Sequence, residues 1–188
     1  MLLNPNEFKV KYGEAYLQHK ITEMCLKYIL DRQNQYKGKV LPNLVCLCVL
    51  KGAFRFFSEM MKHLTMFPMC IDFIQLSTYD GENSTEQVKL VKDVTLDSSL
   101  IERQDVLIIE DIIDSGFTLD WLVKHLRSKY TLNSIKIATL LNKTYRRKYD
   151  IQADYSCIDD NSSDFLVGFG LDDNEFSRNL NQIYMRIK

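Results

Sequence analysis

Residues 106–118 read Val-Leu-Ile-Ile-Glu-Asp-Ile-Ile-Asp-Ser-Gly-Phe-Thr, so that an apolar run gives way to acidic and small polar residues. The first four residues have the continuous hydrophobicity of a strand that is buried on both faces of a parallel sheet. Beyond Thr118, apolar residues from Leu119 to Leu126 recur at helical spacing. The sequence therefore predicts a strand, then an acidic loop that contains glycine, and then a helix.

The position of this loop predicts a binding site for an anionic ligand. Ligands of open parallel sheets bind at the carboxyl ends of the strands, which is where such loops lie. The start of the next helix presents free backbone N–H groups and the positive end of its dipole, and both attract phosphate. Residues 114–116, Asp-Ser-Gly, would then border the ligand.

Helical and strand patterns alternate along most of the remaining chain. Helices are predicted over residues 14–31, 53–64 and 118–130, and strands over residues 44–50, 69–76, 88–91, 105–110, 135–141, 153–158, 165–168 and 183–187. This alternation implies right-handed βαβ crossovers and an α/β fold, in which helices flank a mainly parallel twisted sheet. The length favours a single domain over residues 1–188. Residues 77–87 are polar and predict a long loop of the kind that often serves as a lid.

The composition argues against several classes of protein. A formal net charge of −1 at pH 7 gives no support for a nucleic-acid-binding surface, which is usually basic. The five cysteines form no paired Cys-x-x-Cys, which favours buried reduced thiols and a reducing compartment; Cys46 and Cys48 should face the same side of a strand. No apolar stretch approaches the ~20 residues of a membrane helix, and polar residues follow residues 1–3 at once, unlike a signal peptide. We expect a cytoplasmic protein with no membrane or nucleic-acid partner.

Residues 106–118 resemble the phosphoribosyl pyrophosphate loop of type I phosphoribosyltransferases, and in detail the hypoxanthine-guanine branch of that family. The family pattern is a hydrophobic strand, Glu-Asp, two aliphatic residues, Asp-Ser/Thr-Gly, one variable residue and Thr, and this chain matches every defined position. The resemblance implies the type I fold, with a small hood built from the chain ends. It also implies purine salvage: transfer of the 5-phosphoribosyl group from phosphoribosyl pyrophosphate to hypoxanthine or guanine, with Mg²⁺ as cofactor. A homodimer or homotetramer fits the family.

The resemblance gives the three acids of the loop distinct roles. Glu110 and Asp111 would hold the ribose hydroxyls and bind magnesium, directly or through water, since that ion prefers oxygen ligands. The alternative is that this pair simply caps the following turn. Asp114 would be the general acid/base close to the imidazole-ring nitrogen of the purine. Its alternative role is to cap the helix, for which aspartate is well suited.

The residues after Asp114 would hold the 5′-phosphate. Gly116 lets the backbone turn tightly and approach the anion, while Ser115 and Thr118 donate hydroxyl hydrogen bonds that the charged acceptor strengthens. Phe117 stands at the variable position and would contribute its backbone amide. The alternative is an ordinary junction between a loop and a helix.

A second short motif, Leu50-Lys51-Gly52, resembles the pyrophosphate loop of the family, in which the Leu–Lys peptide is commonly cis. The resemblance implies that Lys51, Gly52 and Arg178 bind pyrophosphate and that Asp172 binds metal near it. The alternatives are a solvated lysine at a strand end and a surface salt bridge between Asp172 and Arg178.

Three further residues resemble the base pocket of the family. Lys143 would donate to the exocyclic oxygen of a 6-oxopurine and disfavour adenine, which has an amino group there. Phe165 would stack on the base, and the backbone of Leu166 would read its edge. The alternatives are a core position for Phe165 and a basic surface cluster for Lys143 with residues 146–148, for which a solvated surface is the preferred interpretation.

Thr78-Tyr79 matches a pair in the family lid, whose closure excludes water from a reactive ribosyl centre. The chain departs from the family around the base pocket. Residues 159–164 replace a frequent Pro-Asp and contain an extra residue, and Asp173 stands where an aromatic is frequent. A non-catalytic regulator that senses nucleotides on the same fold is the rival hypothesis, and an unrelated sheet protein with structural acids is a third.

Overall fold

The computed structural model describes residues 4–80 and 86–187 of the chain. Its helices are α1 Glu14–Gln35, α2 Phe54–Met61, α3 Ser98–Ile101 and α4 Phe117–Lys129. Its strands are β1 Phe8–Tyr12, β2 Leu44–Leu50, β3 Met69–Asp80, β4 Glu86–Lys92, β5 Asp105–Ile113, β6 Ser134–Asn142, β7 Tyr155–Asp159, β8 Leu166–Val167 and β9 Ile183–Arg186. No helix within these ranges is long and apolar enough to cross a membrane.

The main sheet has six strands in the order β4-β3-β2-β5-β6-β7. Strands β3, β2, β5, β6 and β7 run parallel, and β4 pairs antiparallel with β3 at one edge. The predicted α/β class and mainly parallel sheet are therefore confirmed. Strand β5 lies in the interior of the sheet between β2 and β6, so its carboxyl end opens at the place where parallel sheets bind ligands.

A second sheet contains three antiparallel strands in the order β1-β9-β8 and joins the two ends of the chain. We call this sheet the hood, because β8 directly follows the loop that borders the base side of the site. The predicted hood is present, although β1 itself was not predicted from the sequence. The pairing with β9 identifies residues 8–12 as a strand, since their side chains show no regular alternation of burial and only Phe8 is buried.

The core has two layers, one on each face of the main sheet. Cys46 and Cys48 of β2 pack with α1 and α2 on one face, whereas Val45 and Leu47 pack with α4 on the other. Alternate residues of a strand point to opposite faces, which explains this division. Both cysteines are free and buried as predicted, and burial raises the pKa of each thiol to about 12.

Two sequence-based boundaries near the site were wrong. Strand β5 does not end at Glu110, because Ile112 and Ile113 continue the parallel pairing with β6. The paired acids therefore lie on the strand rather than in the loop. Residues 77–87 are not a loop throughout: β3 extends to Asp80, and β4 starts at Glu86 and pairs with it. The strands of an edge hairpin can consist of polar residues and still form regular backbone hydrogen bonds, so the hydrophobic pattern of the sequence does not reveal them.

Candidate active site

The paired acids lie at the carboxyl end of β5, where they line a cavity of about 290 Å³. Glu110 is buried, with 7% of its surface exposed, and Asp111 follows it on the same strand. The Asp111 amide donates to Glu110 Oε1 at 3.2 Å, and the Ile112 amide donates to Asp111 Oδ1 at 2.8 Å. Both carboxylates reach one cavity although they are adjacent on a strand, as the sequence analysis expected.

The electrostatics of this pair are unfavourable to the fold. Burial raises the pKa of Glu110 well above its usual value, and the negative charge of Asp111 raises it further. Burial also raises the pKa of Asp111, although its hydrogen bonds with Glu110 and with the Ile112 amide oppose that shift. Neighbouring carboxylates that are shielded from water repel each other when both are charged. A ligand that supplies hydroxyl donors or positive charge would therefore stabilise the two carboxylates and bind favourably here.

The loop after β5 is shaped by Gly116, whose φ of 88° lies in the left-handed region. A Cβ at this position would lie 2.5 Å from Ile151 Cγ2, so both conformation and space require glycine. Gly116 is also the N-cap of α4 and makes no side-chain capping bond. The Phe117 amide donates to Ser115 Oγ at 3.3 Å, and Phe117 and Thr118 open the helix beside the cavity.

Asp114 does not cap the helix, so the capping alternative is wrong for this residue. Its Oδ1 atom is buried and has no hydrogen-bond partner among residues 4–80 and 86–187. Its Oδ2 atom lies 3.7 Å from a guanidinium nitrogen of Arg146, a partly solvated contact. A buried oxygen without a hydrogen-bond partner costs free energy unless a ligand supplies the donor. An oxygen of this kind is free to accept a proton from a ligand.

Arg147 holds the loop after β5 through hydrogen bonds to its main chain. The prediction that this residue is solvated was wrong. Its guanidinium donates to the carbonyl of Asp114 at 3.1 Å and to Asn142 Oδ1 at 2.7 Å. It also donates to the main chain of Ile151. Five donors in one planar group can hold several carbonyls at once. The sequence alone does not predict that Arg147 binds these carbonyl groups, because the contacts depend on which strand ends lie together in the fold.

The cis peptide bond expected between Leu50 and Lys51 is present. Beside it, a Cβ at Gly52 would lie 1.6 Å from Asp111 Oδ2, so any larger residue there would force the Asp111 carboxylate to move. Lys51 Nζ lies 3.0 Å from a carboxylate oxygen of Glu175. Gly52, expected from the sequence to bind pyrophosphate, is therefore a direct neighbour of Asp111.

Arg178 and Asp172 form a salt bridge at 2.9 Å, which is the alternative that the sequence left open for them. Arg178 also lies 3.3 Å from Glu175 and donates to the Gly170 carbonyl at 2.9 Å. Glu175 thus contacts both cations assigned to pyrophosphate, and sequence analysis missed it. The sequence offered one indication of this contact: Glu175 and Arg178 have opposite charges and lie at positions i and i+3.

Lys143 is buried, with 8% of its surface exposed, so it is not part of a basic surface cluster. Its Nζ donates to the carbonyl of Asp164 at 2.7 Å, and burial lowers the pKa of this lysine. A cavity of about 330 Å³ brings Lys143 together with Phe165, Leu166 and Asp172. A buried ammonium directed into a cavity is suited to select an oxygen acceptor.

Phe165 is not a core residue, because 46% of its surface is exposed. Its ring lies at the mouth of the cavity that Lys143 lines, and the guanidinium of Arg186 lies 4.7 Å from the ring centroid. Leu166 is buried at the start of β8. An exposed aromatic face beside a buried lysine offers a stacking surface for a planar base.

The two cavities share Asp111, Ile112 and Asp114, and these residues connect the acid pair to the base side. Thr78 and Tyr79 belong to β3 by their backbone. The tip of the predicted lid, residues 81–85, lies outside the described residues. No cluster of three or more metal-binding side chains occurs in the part of the chain that the structure describes. The site is thus an elongated cleft with an acidic centre.

Two connected cavities, one beside the acidic end of β5 and the loop of Gly116 and the other lined by Lys143 and Phe165, are suited to a ligand with two parts. Residues 13–174 match the model of the phosphoribosyl transferase domain. The chain belongs to the phosphoribosyltransferase family. It is 40% identical over 166 residues to a hypoxanthine-guanine phosphoribosyltransferase of Staphylococcus aureus, covering 87% of each chain. It is 42% identical over 173 residues to that of Streptococcus agalactiae, covering 92% of this chain and 89% of the relative.

Solved structures of hypoxanthine phosphoribosyltransferases have the same fold. The hypoxanthine-guanine enzyme of Bacillus anthracis has a TM-score of 0.81 at 34% identity, covering 95% of this chain and 98% of that one. The hypoxanthine enzyme of Trypanosoma cruzi, in a structure concerned with its C-terminal region, oligomeric state and activity, has a TM-score of 0.84. That chain is 28% identical, with 100% of this chain and 95% of the other covered.

Proposed function

We propose that this protein is a purine salvage enzyme that joins hypoxanthine or guanine to the 5-phosphoribosyl group of phosphoribosyl pyrophosphate, and releases IMP or GMP and pyrophosphate. The observation that carries the proposal is the pair of connected cavities. One holds the buried acids Glu110 and Asp111 beside the loop of Gly116, and the other holds the buried Lys143. The names of the bacterial relatives, all of them enzymes, favour turnover over the sensing regulator.

The sugar phosphate fits the first cavity. Glu110 and Asp111 would accept hydrogen bonds from the two ribose hydroxyls, which would offset the burial that raises the pKa of both acids and the charge of Asp111 that raises the pKa of Glu110 further. The 5′-phosphate would bind the backbone amides of Ser115 to Thr118 at the start of α4, where the helix dipole favours an anion. The tight turn that precedes these amides depends on the left-handed conformation of Gly116.

The purine fits the second cavity. Lys143 would donate to the exocyclic oxygen of a 6-oxopurine, Phe165 would stack on the ring, and the main chain of Leu166 would contact its edge. Asp114 borders both cavities, so its unpartnered Oδ1 is suited to accept the proton that the ring nitrogen loses as it attacks the ribose.

The pyrophosphate would bind between Lys51, Gly52 and Arg178, and would displace Glu175 from the two cations. The chemistry of the donor set fits magnesium, because buried carboxylates next to a phosphate site provide the few protein oxygens that this ion uses besides water and substrate. Glu110 and Asp111 would hold it. Asp172 is a candidate as well once its salt bridge to Arg178 opens. Magnesium, when bound, neutralises charge on the leaving pyrophosphate.

Three broader proposals accompany this function. Residues 1–188 form a single phosphoribosyltransferase domain, supported by a hood that both chain ends build. Thr78 and Tyr79 belong to a lid, supported by their place on the edge hairpin of β3 and β4. The protein acts in the cytoplasm as a homodimer or homotetramer, for which the family relationship is the support.

An assay with labelled hypoxanthine, phosphoribosyl pyrophosphate and MgCl₂ tests the proposal. We expect IMP from the parent protein and a fall in kcat of about 10²–10⁴-fold in Asp114→Asn, since a positioned general base contributes that much. Asp150→Asn, which changes an exposed aspartate, should retain parental activity. No product from the parent, or Asp114→Asn with unchanged kcat, would overturn the proposal.

A further inference from the structure

Lys11 of the hood lies at the centre of the loop that precedes the base pocket. Its Nζ atom is 2.8 Å from Asp160 Oδ2, 2.8 Å from Asp164 Oδ2 and 2.6 Å from Ser162 Oγ. An ammonium has three N–H donors, and each meets one oxygen here. The loop of residues 160–164 is therefore folded around one side chain from β1.

These ion pairs are largely withdrawn from water. The exposed fractions of the side chains are 15% for Lys11, 4% for Asp160 and 19% for Asp164. Burial alone would lower the pKa of Lys11, but its hydrogen bonds to both acids outweigh burial and raise the pKa. Pairs that are partly buried are screened less by salt than surface pairs, so this one should hold the loop firmly.

The same loop positions the lysine that faces the base. The carbonyl of Asp164 accepts the hydrogen bond from Lys143 Nζ at 2.7 Å, while its carboxylate pairs with Lys11. Residues 162–165 also form one wall of the cavity that Lys143 lines. Asp164 thus joins two lysines that lie 132 positions apart in the sequence, only one of which borders the cavity.

We propose that Lys11 is a positioning residue for base binding, which acts through Asp164 on Lys143 and Phe165. This inference rests on the proposed function. The ammonium of Lys11 neutralises Asp160 and Asp164, so that Lys143 remains directed toward the base rather than toward these carboxylates. The hood strand β1 would therefore contribute to base specificity without touching the base.

Removal of the Lys11 charge should redirect Lys143. Asp160 and Asp164 already attract the charged form of Lys143, whereas Lys11 repels it. Without Lys11, the carboxylates of Asp160 and Asp164 would lose the cation that β1 supplies. Lys143 could then form a salt bridge with either of them, and this salt bridge would compete with the hydrogen bond from Lys143 to the base. The loss should appear in base binding, because residues 162–165 line the cavity of Lys143 and do not line the cavity beside the loop of Gly116.

The test compares Lys11→Met with Lys9→Met, which changes an exposed lysine of the same strand. Steady-state kinetics would measure kcat and both KM values with hypoxanthine and with guanine. For Lys11→Met we expect KM for the base to rise about tenfold, the equivalent of one hydrogen bond to a charged group, and KM for phosphoribosyl pyrophosphate to stay within about twofold. Lys9→Met should match the parent, and Lys11→Arg should recover part of the loss.

Two further variants separate positioning from a merely structural role. In a Lys143→Met background, Lys11→Met should raise the base KM by less than about twofold, because residues that act through each other are not additive. Asp164→Asn keeps the main-chain carbonyl and breaks the same ion pair, so it carries the test if Lys11→Met does not fold. Activity that falls only in step with the folded fraction, at unchanged base KM, would overturn the proposal.

Failure of this inference is distinguishable from failure of the proposed function. A parent protein that forms no nucleotide from any 6-oxopurine removes the proposed function and the inference with it. An active parent whose Lys11→Met variant has the base KM of Lys9→Met removes the inference alone.

Discussion

At the start of β5 the buried carboxylate of Asp105 is surrounded by donors, whereas at the end of the same strand the buried carboxylates of Glu110 and Asp111 face each other. Asp105 accepts hydrogen bonds from four side chains, those of Arg32, Tyr36, Asn133 and Ser134. The protein therefore gives one acid of β5 four side-chain donors, whereas Glu110 and Asp111, on the same strand, each accept one main-chain amide.

The pKa values move in opposite directions at the two ends. Burial would raise the pKa of Asp105, but its hydrogen bonds outweigh burial and lower it. Burial raises the pKa of Glu110 well above its usual value, and the neighbouring charge of Asp111 adds to the shift. A buried acid with partners stabilises a fold, and one without them costs free energy that a ligand can recover. The amino end of β5 thus serves stability and the carboxyl end serves binding.

Breaking the satisfied end should have the largest effect. Asp105→Ala leaves the buried guanidinium of Arg32 without its partner, and loss of one member of a buried pair costs about 3–5 kcal/mol. We expect that decrease in the free energy of unfolding, measured by urea denaturation. Activity per folded molecule should change little, because Asp105 lies at the opposite end of the strand. Asp150→Ala, on the surface, is the control, and an equal stability for the two variants would contradict the comparison.

Changing the unsatisfied end should trade activity for stability. Glu110→Gln removes a buried charge, so we expect the free energy of unfolding to rise by about 0.5–2 kcal/mol. The kcat/KM for phosphoribosyl pyrophosphate should fall about 100-fold, or about 2.7 kcal/mol of transition-state stabilisation. Kinetics and denaturation on the same preparation measure both. A variant that loses stability together with activity would show that Glu110 is not under strain.

The pH dependence of stability should separate the two ends further. The pKa of Glu110 is raised in the folded state, so its favourable contribution is complete below the unfolded value of about 4.3 and is lost as pH rises through the folded pKa. The contribution of Asp105 is present above its unfolded value of about 3.9 and is lost as pH falls through its lowered pKa.

We therefore expect the stability gain of Glu110→Gln to grow between pH 4 and neutrality, at about 1.4 kcal/mol per pH unit at most. The free energy of unfolding of Asp105→Asn should instead approach that of the parent protein as pH falls. Denaturation curves at several pH values measure both trends. Parallel curves for Glu110→Gln and the parent across this range would refute the assignment.

The smallest effect is expected at the cations beside the acid pair. Glu175 holds Lys51 at 3.0 Å and Arg178 at 3.3 Å on an exposed surface, and such pairs are weak. Glu175→Gln should tighten pyrophosphate binding about two- to threefold, measured as product inhibition. Glu23→Gln, which removes the surface pair with Lys20 on α1, should leave inhibition unchanged. Weaker inhibition in Glu175→Gln would mean that Glu175 helps to position the cations.

The sequence was informative where hydrophobic pattern and local motif agree. The bounds of β2 were predicted to the residue, because its apolar run ends at Lys51. The junction of β5 and α4 carried a long motif, and its glycine does adopt the left-handed conformation. Such features depend on neighbours in sequence, and a single chain contains all the information needed to find them.

Features that depend on distant partners were missed or misplaced. The last residues of β5 belong to the strand only because β6 pairs with them, and β1 exists because β9 lies beside it. Arg147 looked like a solvated cation, yet strand ends from two parts of the chain give its guanidinium carbonyl acceptors. Lys11 had no local signal at all, since the acids it binds are about 150 positions away.

The hood joins strands from the beginning and the end of the polypeptide, and this has a consequence for biosynthesis. Domains generally begin to fold while the ribosome is still extending the chain. The strands of the main sheet, up to Asp159, are all translated before Ile183–Arg186, which β1 requires as its partner. A nascent chain would hence bury its mutually repelling acids before residues 183–186 are synthesised, and would complete the hood only after they emerge.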